Sequence, residues 1–86
     1  MKFIVTRRFR RAYAGLGFDD AEQTRKALIL MNENLGHPGL HVKKIKGTDH
    51  IWEARAGLSI RITVEIKDDT ILLRNVGRHD KTLKRP

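Results

Sequence analysis

Apolar and polar residues alternate without a break over residues 59–67, SIRITVEIK. This two-residue period is typical of a strand that buries one of its faces. The buried face would carry the apolar residues of the stretch, which are Ile60, Ile62, Val64 and Ile66. Arg61 is therefore predicted to point away from the core, together with Thr63.

The preceding segment, residues 51–57 (IWEARAG), alternates in the same sense. Its pattern predicts a second strand in which Trp52 and Ala54 face the core. Glu53 and Arg55 then lie on the opposite face, beside the polar residues of the strand at 59–67.

Three more strands are predicted at residues 2–5, 41–46 and 70–76. Asp68 and Asp69 supply the turn residues for a hairpin that leads into the strand at 70–76. That last strand is the most apolar, so we expect it to lie inside the sheet.

Helical spacing replaces the two-residue period between the first strand and residue 36. Thr6 can cap a first helix, whose apolar stripe at i, i+4 and i+7 consists of Phe9, Tyr13 and Leu16. Gly17 is expected to end this helix. Its solvent-exposed sides are expected to carry four arginines, which are Arg7, Arg8, Arg10 and Arg11.

A second helix is predicted to start at a capping box formed by Asp19 and Glu22. Gly36 and Pro38 stop it. The face expected to be buried carries Thr24, Leu28, Met31 and Leu35. The element order is βααββββ, which predicts a single α+β domain over residues 1–86 with a mostly antiparallel sheet and a helical hairpin packed on one face.

The balance of charges limits the partners of the chain. Its 86 residues include 18 Lys and Arg and 10 Asp and Glu, for a net charge of +8, and such a field attracts polyanions or acidic proteins. A membrane-binding helix would need an exposed apolar face, whereas these helices use theirs for the core. The chain contains no cysteine and no apolar run long enough to span a bilayer, so we expect a cytoplasmic protein.

The sheet face away from the helices is predicted to form a concave basic surface. It would carry Glu53, Arg55 and Arg61, with Lys43, Lys44 and Lys46 along one rim and residues 78–81 at a strand end. Such a surface suits cleavage of RNA without a metal, in which a base removes the proton of a 2′-hydroxyl and an acid protonates the leaving 5′-oxygen. A planar guanidinium can stabilise the charge that develops on the phosphate oxygens.

The run KIKGTDHIWEARAGLSIRITVEIKDDTILLRNVGRHD, residues 44–80, resembles the RelE/ParE superfamily of toxins from type II toxin–antitoxin systems. The shared pattern is K-x-L-x-G, then W-E-x-R, an arginine that opens the next strand, and a final V-G-x-H/R. The likeness implies a RelE-like fold for the whole chain. It also implies that Arg61 is the arginine that stabilises the transition state and that His79 is a catalytic acid or base.

The resemblance implies an mRNA endoribonuclease that acts in the ribosomal A site and is held inactive by a cognate acidic antitoxin in a hetero-oligomer. Glu53 is a candidate partner of His79, so which group acts as base stays open. The remaining basic residues are RNA-binding candidates: Lys43, Lys44, Lys46, Arg55, Arg78 and Lys81. The alternatives are a ParE-like toxin that inhibits DNA gyrase by protein binding, and an RNA-binding module without catalysis.

Some features of the sequence speak against other sites. His37 and His41 have the spacing of a zinc pair, but Pro38 and Gly39 break the helix that this spacing needs, so no metal and no cofactor is expected. Many RelE-like nucleases have a tyrosine shortly after the final motif. The corresponding neighbourhood here contains Leu83 and no aromatic residue.

Overall fold

The computed structural model describes residues 1–86 and contains one five-stranded sheet with three helices. The elements, in chain order, are β1 (Lys2–Val5), α1 (Arg7–Ala14), α2 (Phe18–Glu33), a 3-10 turn (Pro38–Leu40), β2 (Lys43–Lys44), β3 (Trp52–Arg55), β4 (Ile60–Lys67), β5 (Thr70–Arg78) and α3 (His79–Lys84). The predicted α+β class and the order of the first seven elements are confirmed, and α3 is an addition.

The sheet has the strand order β1-β5-β4-β3-β2. Only β1 and β5 run parallel, and the other neighbours are antiparallel. β5 is an interior strand as predicted, with β4 at the centre. Asp68, in the turn between them, has a φ of 54°, a left-handed conformation in which aspartate is more frequent than most other residues.

α1 and α2 bury their apolar sides against one face of the sheet. Thr6 caps α1 as predicted, because its hydroxyl accepts a hydrogen bond from the Phe9 amide, and Phe9 is buried. The predicted end of α1 was wrong, since the helix stops at Ala14 and Gly15 caps it, which leaves Leu16 outside.

The capping box predicted for α2 was also wrong. The helix begins two residues earlier than expected, so Gly17 takes the N-cap position without a side-chain hydrogen bond, and Asp19 lies in the first turn. There Asp19 and Asp20 face the positive end of the helix dipole, which favours carboxylates. Thr24 and Met31 are buried as expected, together with Ala27.

The strand predicted at 41–46 shrinks to Lys43–Lys44. His41 has a left-handed φ of 47°, which ends the preceding turn and delays the start of the strand. After Lys44 the chain turns, because the Thr48 hydroxyl donates to the carbonyl of Ile45 at 2.8 Å.

α3 and the residues after it cover part of the sheet face that lies away from α1 and α2. Thr82 of α3 is 2% exposed, and a Cβ placed on Gly77 of β5 would lie 2.8 Å from its Oγ1. Thr63 and Arg74 both donate to the Pro86 carbonyl oxygen, at 2.8 and 3.2 Å. The open concave surface predicted for this face was therefore wrong, since sequence alternation does not show which segment packs on a polar face.

None of the helices is both long enough and apolar enough to cross a membrane.

Candidate functional site

Arg61 is the centre of the polar sheet face, and it is 5% exposed. The strand register places it opposite Arg55 on β3 and opposite Gly77 on β5. Its Nη1 atom donates to three backbone carbonyls, those of Gly57 and Leu58 at 3.3 Å and that of Ile60 at 3.0 Å. The tight turn after β3 thus fixes one edge of the guanidinium.

The other edge of this guanidinium lacks a hydrogen-bond acceptor. The Nε atom of Arg61 is buried without a hydrogen-bond partner, and the nearest carboxylate oxygen, Oε1 of Glu53, lies 3.8 Å away. Glu53 is itself only 7% exposed. Burial lowers the pKa of Arg61, the charge of Arg55 lowers it further, and Glu53 acts in the opposite direction. A buried donor in this state would gain from a closer anion.

Arg55 differs from Arg61 in being exposed, although the two are cross-strand partners. Thr63 follows two residues after Arg61 on the same face, is fully buried, and donates to the Pro86 carbonyl. The site therefore has a covered part, around Arg61 and Glu53, and an open part at Arg55.

His79 starts α3, where the chain leaves β5. Its backbone amide donates to the Ser59 carbonyl at 2.7 Å, which ties the strand end to the beginning of β4. Its ring Nδ1 lies 2.9 Å from Oδ1 of Asp80, and the side chain is 48% exposed. The hydrogen bond from the imidazole lowers the pKa of Asp80. Gly77, two residues before His79, lies opposite Arg61 in the strand register, so α3 begins close to the face that carries Arg61.

The predicted RNA-binding residues do not share one surface. Lys43 pairs with Glu53 across the β2–β3 register and lies on the face of Arg61. Lys44 pairs with Trp52 instead, and its ammonium group lies 5.6 Å from the centre of that indole ring. Lys46 is exposed in the turn after β2.

The basic residues of segment 78–81 also point in different directions. Arg78 approaches Oδ2 of Asp20 on α2 at 3.9 Å and donates to the hydroxyl of Ser59 at 3.3 Å, so it points toward the helical side. Lys81 is exposed on α3. The structure therefore brings Glu53, Arg61 and Lys43 to one face, and separates Arg78 from them.

Sequence reasoning missed two polar residues of this face, Arg74 and Asn75. A register shift between Thr63 and Val64 accompanies an ion pair of Arg74 with Glu65, and the Asn75 side chain donates to the Arg85 carbonyl at 3.2 Å. The alternation in β4 already assigned Glu65 to the polar side of the strand. No local pattern indicates a register shift, so Arg74 and Asn75 gave no signal.

No group of three or more His, Cys, Asp or Glu side chains is arranged to hold a metal ion.

Comparison with known proteins finds no matching family model and no matching curated protein. Solved structures do match over nearly their whole length. The RelB–RelE antitoxin–toxin complex from Methanococcus jannaschii gives a TM-score of 0.75 at 20% identity and covers 96% of this chain and 99% of the other. The YoeB/ParE toxin from Agrobacterium tumefaciens gives 0.75 at 13% identity, with 92% and 99% covered.

The intact RelBE toxin–antitoxin complex from E. coli is a further match, with a TM-score of 0.69, 18% identity and coverage of 90% and 94%. At these identities the likeness shows the fold. The chain has the fold of RelE-, YoeB- and ParE-type toxins, as its sequence resemblance implied.

Proposed function

We propose that the protein is the toxin of a type II toxin–antitoxin system and cleaves mRNA in the ribosomal A site without a metal. The observation that carries this proposal is the state of Arg61. Its guanidinium is fixed by three carbonyls, and its Nε is a buried donor without a hydrogen-bond acceptor. A phosphate oxygen in the transition state would supply the missing acceptor.

In the proposed reaction the 2′-hydroxyl of the RNA loses its proton to a base and attacks the neighbouring phosphorus. The bond from phosphorus to the 5′-oxygen breaks, that oxygen receives a proton from an acid, and a 2′,3′-cyclic phosphate forms. His79 is exposed and held by Asp80, so it can exchange a proton with bound RNA. Glu53 is buried beside Arg61, which suits it to positioning that guanidinium.

The cover over this face sets a condition on the reaction. Because Arg61 is 5% exposed, a phosphate can reach Nε only after a neighbouring segment has moved, and the segment packed on this face is α3 with the residues that follow it. Few hydrogen bonds would be lost in this movement. Side chains of the sheet hold the end of the segment mainly through the backbone carbonyls of Arg85 and Pro86.

The proposed protein partner is a cognate acidic antitoxin that forms a hetero-oligomer with this chain in the cytoplasm. Two facts support it. The net charge of +8 favours association with an acidic protein, and matched structures include RelB–RelE complexes.

A second candidate is a ParE-like toxin that inhibits DNA gyrase through protein contacts. The burial of Arg61 and Glu53 under the cover favours this candidate, because a toxin that acts through protein contacts does not need an accessible guanidinium on this face.

The test is to produce the protein alone in bacterial cells and to map mRNA 5′ ends and DNA breaks in the same culture. New mRNA ends inside coding frames are expected, and they should disappear with Arg61→Ala. Gyrase-dependent DNA breaks without new mRNA ends would select the second candidate.

A further inference from the structure

The exposed side of α1 consists almost entirely of arginine. At about 100° per residue, the four arginines occupy an arc of roughly 160°. Phe9, the buried residue of the helix, lies opposite the middle of this arc. The only other side chain within the arc is the small one of Ala14. We call the exposed side chains of Arg7, Arg10 and Arg11 the arginine face.

The arginine face lowers the stability of its own helix. Arg7 lies one turn before Arg10 and Arg11, and like charges at this spacing destabilise a helix. The first turn contains no acidic residue to match the positive end of the helix dipole. Each ion pair of the protein uses other cations, which are Arg25, Arg61, Arg74, Arg78 and His79. A bound anion would remove these unfavourable terms.

We propose that the arginine face binds the phosphate backbone of a nucleic acid, at a place separate from Arg61. An acidic protein is a weaker fit, because a protein interface buries an apolar centre and this arc offers only the methyl group of Ala14. A membrane is a weaker fit as well, since Phe9 is already buried in the core. Contacts to a phosphate backbone need charge and hydrogen-bond donors alone.

The choice of residue type supports phosphate as the ligand. The cationic residues of α1 are all arginine, although the chain also contains eight lysines. A guanidinium offers a planar set of donors that can bind two phosphate oxygens at once. Arg8 has a different role, because its Nη2 donates to the Arg85 carbonyl and its side chain lines a recess with Thr6 and Arg74.

The test uses a fluorescent 2′-O-methyl RNA hairpin, which the proposed nuclease cannot cleave, and a DNA hairpin of the same sequence. Binding is measured by anisotropy over a range of salt concentrations. The variant is Arg7→Gln/Arg10→Gln/Arg11→Gln. Its matched control, Lys2→Gln/Lys26→Gln/Lys67→Gln, removes the same number of charges from exposed positions outside the sites described above.

The arginine variant should bind the RNA hairpin about tenfold or more weakly than the lysine control near 0.1 M salt, and its salt slope should fall by about 2 to 3. The variant Arg7→Lys/Arg10→Lys/Arg11→Lys should keep most of that slope. An equal loss of affinity for the DNA hairpin would show that the face contacts phosphates alone, and a greater loss of affinity for the RNA hairpin would show a preference for RNA.

Two results would overturn the proposal. In one, the arginine and lysine variants bind both hairpins equally. In the other, the arginine variant binds both hairpins normally but binds polyglutamate, measured in the same way as a model of an acidic protein, more weakly than the lysine control does. That result would identify the face as a protein contact. Circular dichroism checks the fold, which removal of like charges should not weaken. The test measures binding to RNA that cannot be cleaved, so a failure of the proposed nuclease function leaves it intact.

Discussion

At the scale of single residues, Arg61 is a buried cation without a close counter-ion. It is buried, which costs solvation free energy, and its nearest carboxylate is too distant for a hydrogen bond. The pair with Glu53 therefore gives little direct support to the fold, whereas loss of either partner leaves a buried charge alone. Substitutions at these two residues can therefore distinguish an effect on the stability of the fold from an effect on RNA cleavage.

Arg61→Ala should slow RNA cleavage by about 10²-fold or more, since a donor to the developing phosphate charge is lost. It should also leave Glu53 buried without its partner, so the matched variant Arg61→Ala/Glu53→Gln is needed to restore stability. Single-turnover cleavage and urea unfolding measure the two effects. If the double variant recovers both stability and the cleavage rate, Arg61 is a structural residue only.

His79→Ala should lower the saturated cleavage rate by about 10²- to 10⁴-fold, because a proton-transfer group is lost. The pKa of Asp80 is lowered by its bond to the imidazole, so this carboxyl is fully ionised well before neutrality is reached. A pH dependence of the wild-type rate that disappears in His79→Ala would therefore report the imidazole and not Asp80. An unchanged rate with weaker RNA binding in His79→Ala would contradict the assignment.

At the scale of elements, α3 and β5 depend on one close contact. Thr82 is buried, and a Cβ on Gly77 would lie 2.8 Å from its Oγ1, so only glycine allows α3 to pack here. The neighbouring carbonyls of Arg85 and Pro86 accept side-chain hydrogen bonds from the sheet. Displacement of α3 should therefore loosen the whole cover over Arg61.

Gly77→Ala should destabilise the protein by about 1 to 3 kcal/mol through overpacking. It should also speed amide hydrogen exchange over residues 79–84. Adding Thr82→Ala removes the atom that clashes and should restore part of the loss. Gly15→Ala is the matched control, since a Cβ there meets only carbonyl oxygens at 3.6 and 3.7 Å. Equal effects of the two glycine variants would contradict the role given to Thr82.

The elements that the sequence predicted well are those whose burial follows a local period. Alternation located β4 and the orientation of Trp52, because neighbouring residues alone decide which face is apolar. α3 was missed because HDKTLK carries no apolar stripe, and the residue that it buries, Thr82, is polar. The burial of Arg61 could not be predicted because Thr82 and the residues after it, which pack on this face, are more than 20 residues away in sequence.

At the scale of the whole molecule, the dominant property is the net charge of +8. The ion pairs are few, and the buried one is long, so repulsion among cations outweighs attraction at low salt.

Raising sodium chloride from about 0.05 to 0.5 M should therefore increase the free energy of unfolding, because salt screens this repulsion within a Debye length of about 10 Å or less. Urea unfolding at both salt concentrations measures the effect. The arginine-face variant should show a smaller increase than the lysine control, since it has lost three cations that repel one another on the same helix. A decrease with salt would mean that the ion pairs dominate.

The cover over Arg61 has a consequence for protein chemistry. Dicarbonyl reagents attach to exposed guanidinium groups, and mass spectrometry can locate each adduct by residue. Arg55 lies opposite Arg61 in the strand register and is exposed, so its rate of modification provides an internal reference for the same face. The ratio of the two rates would then measure how often the segment that covers Arg61 moves away from the sheet.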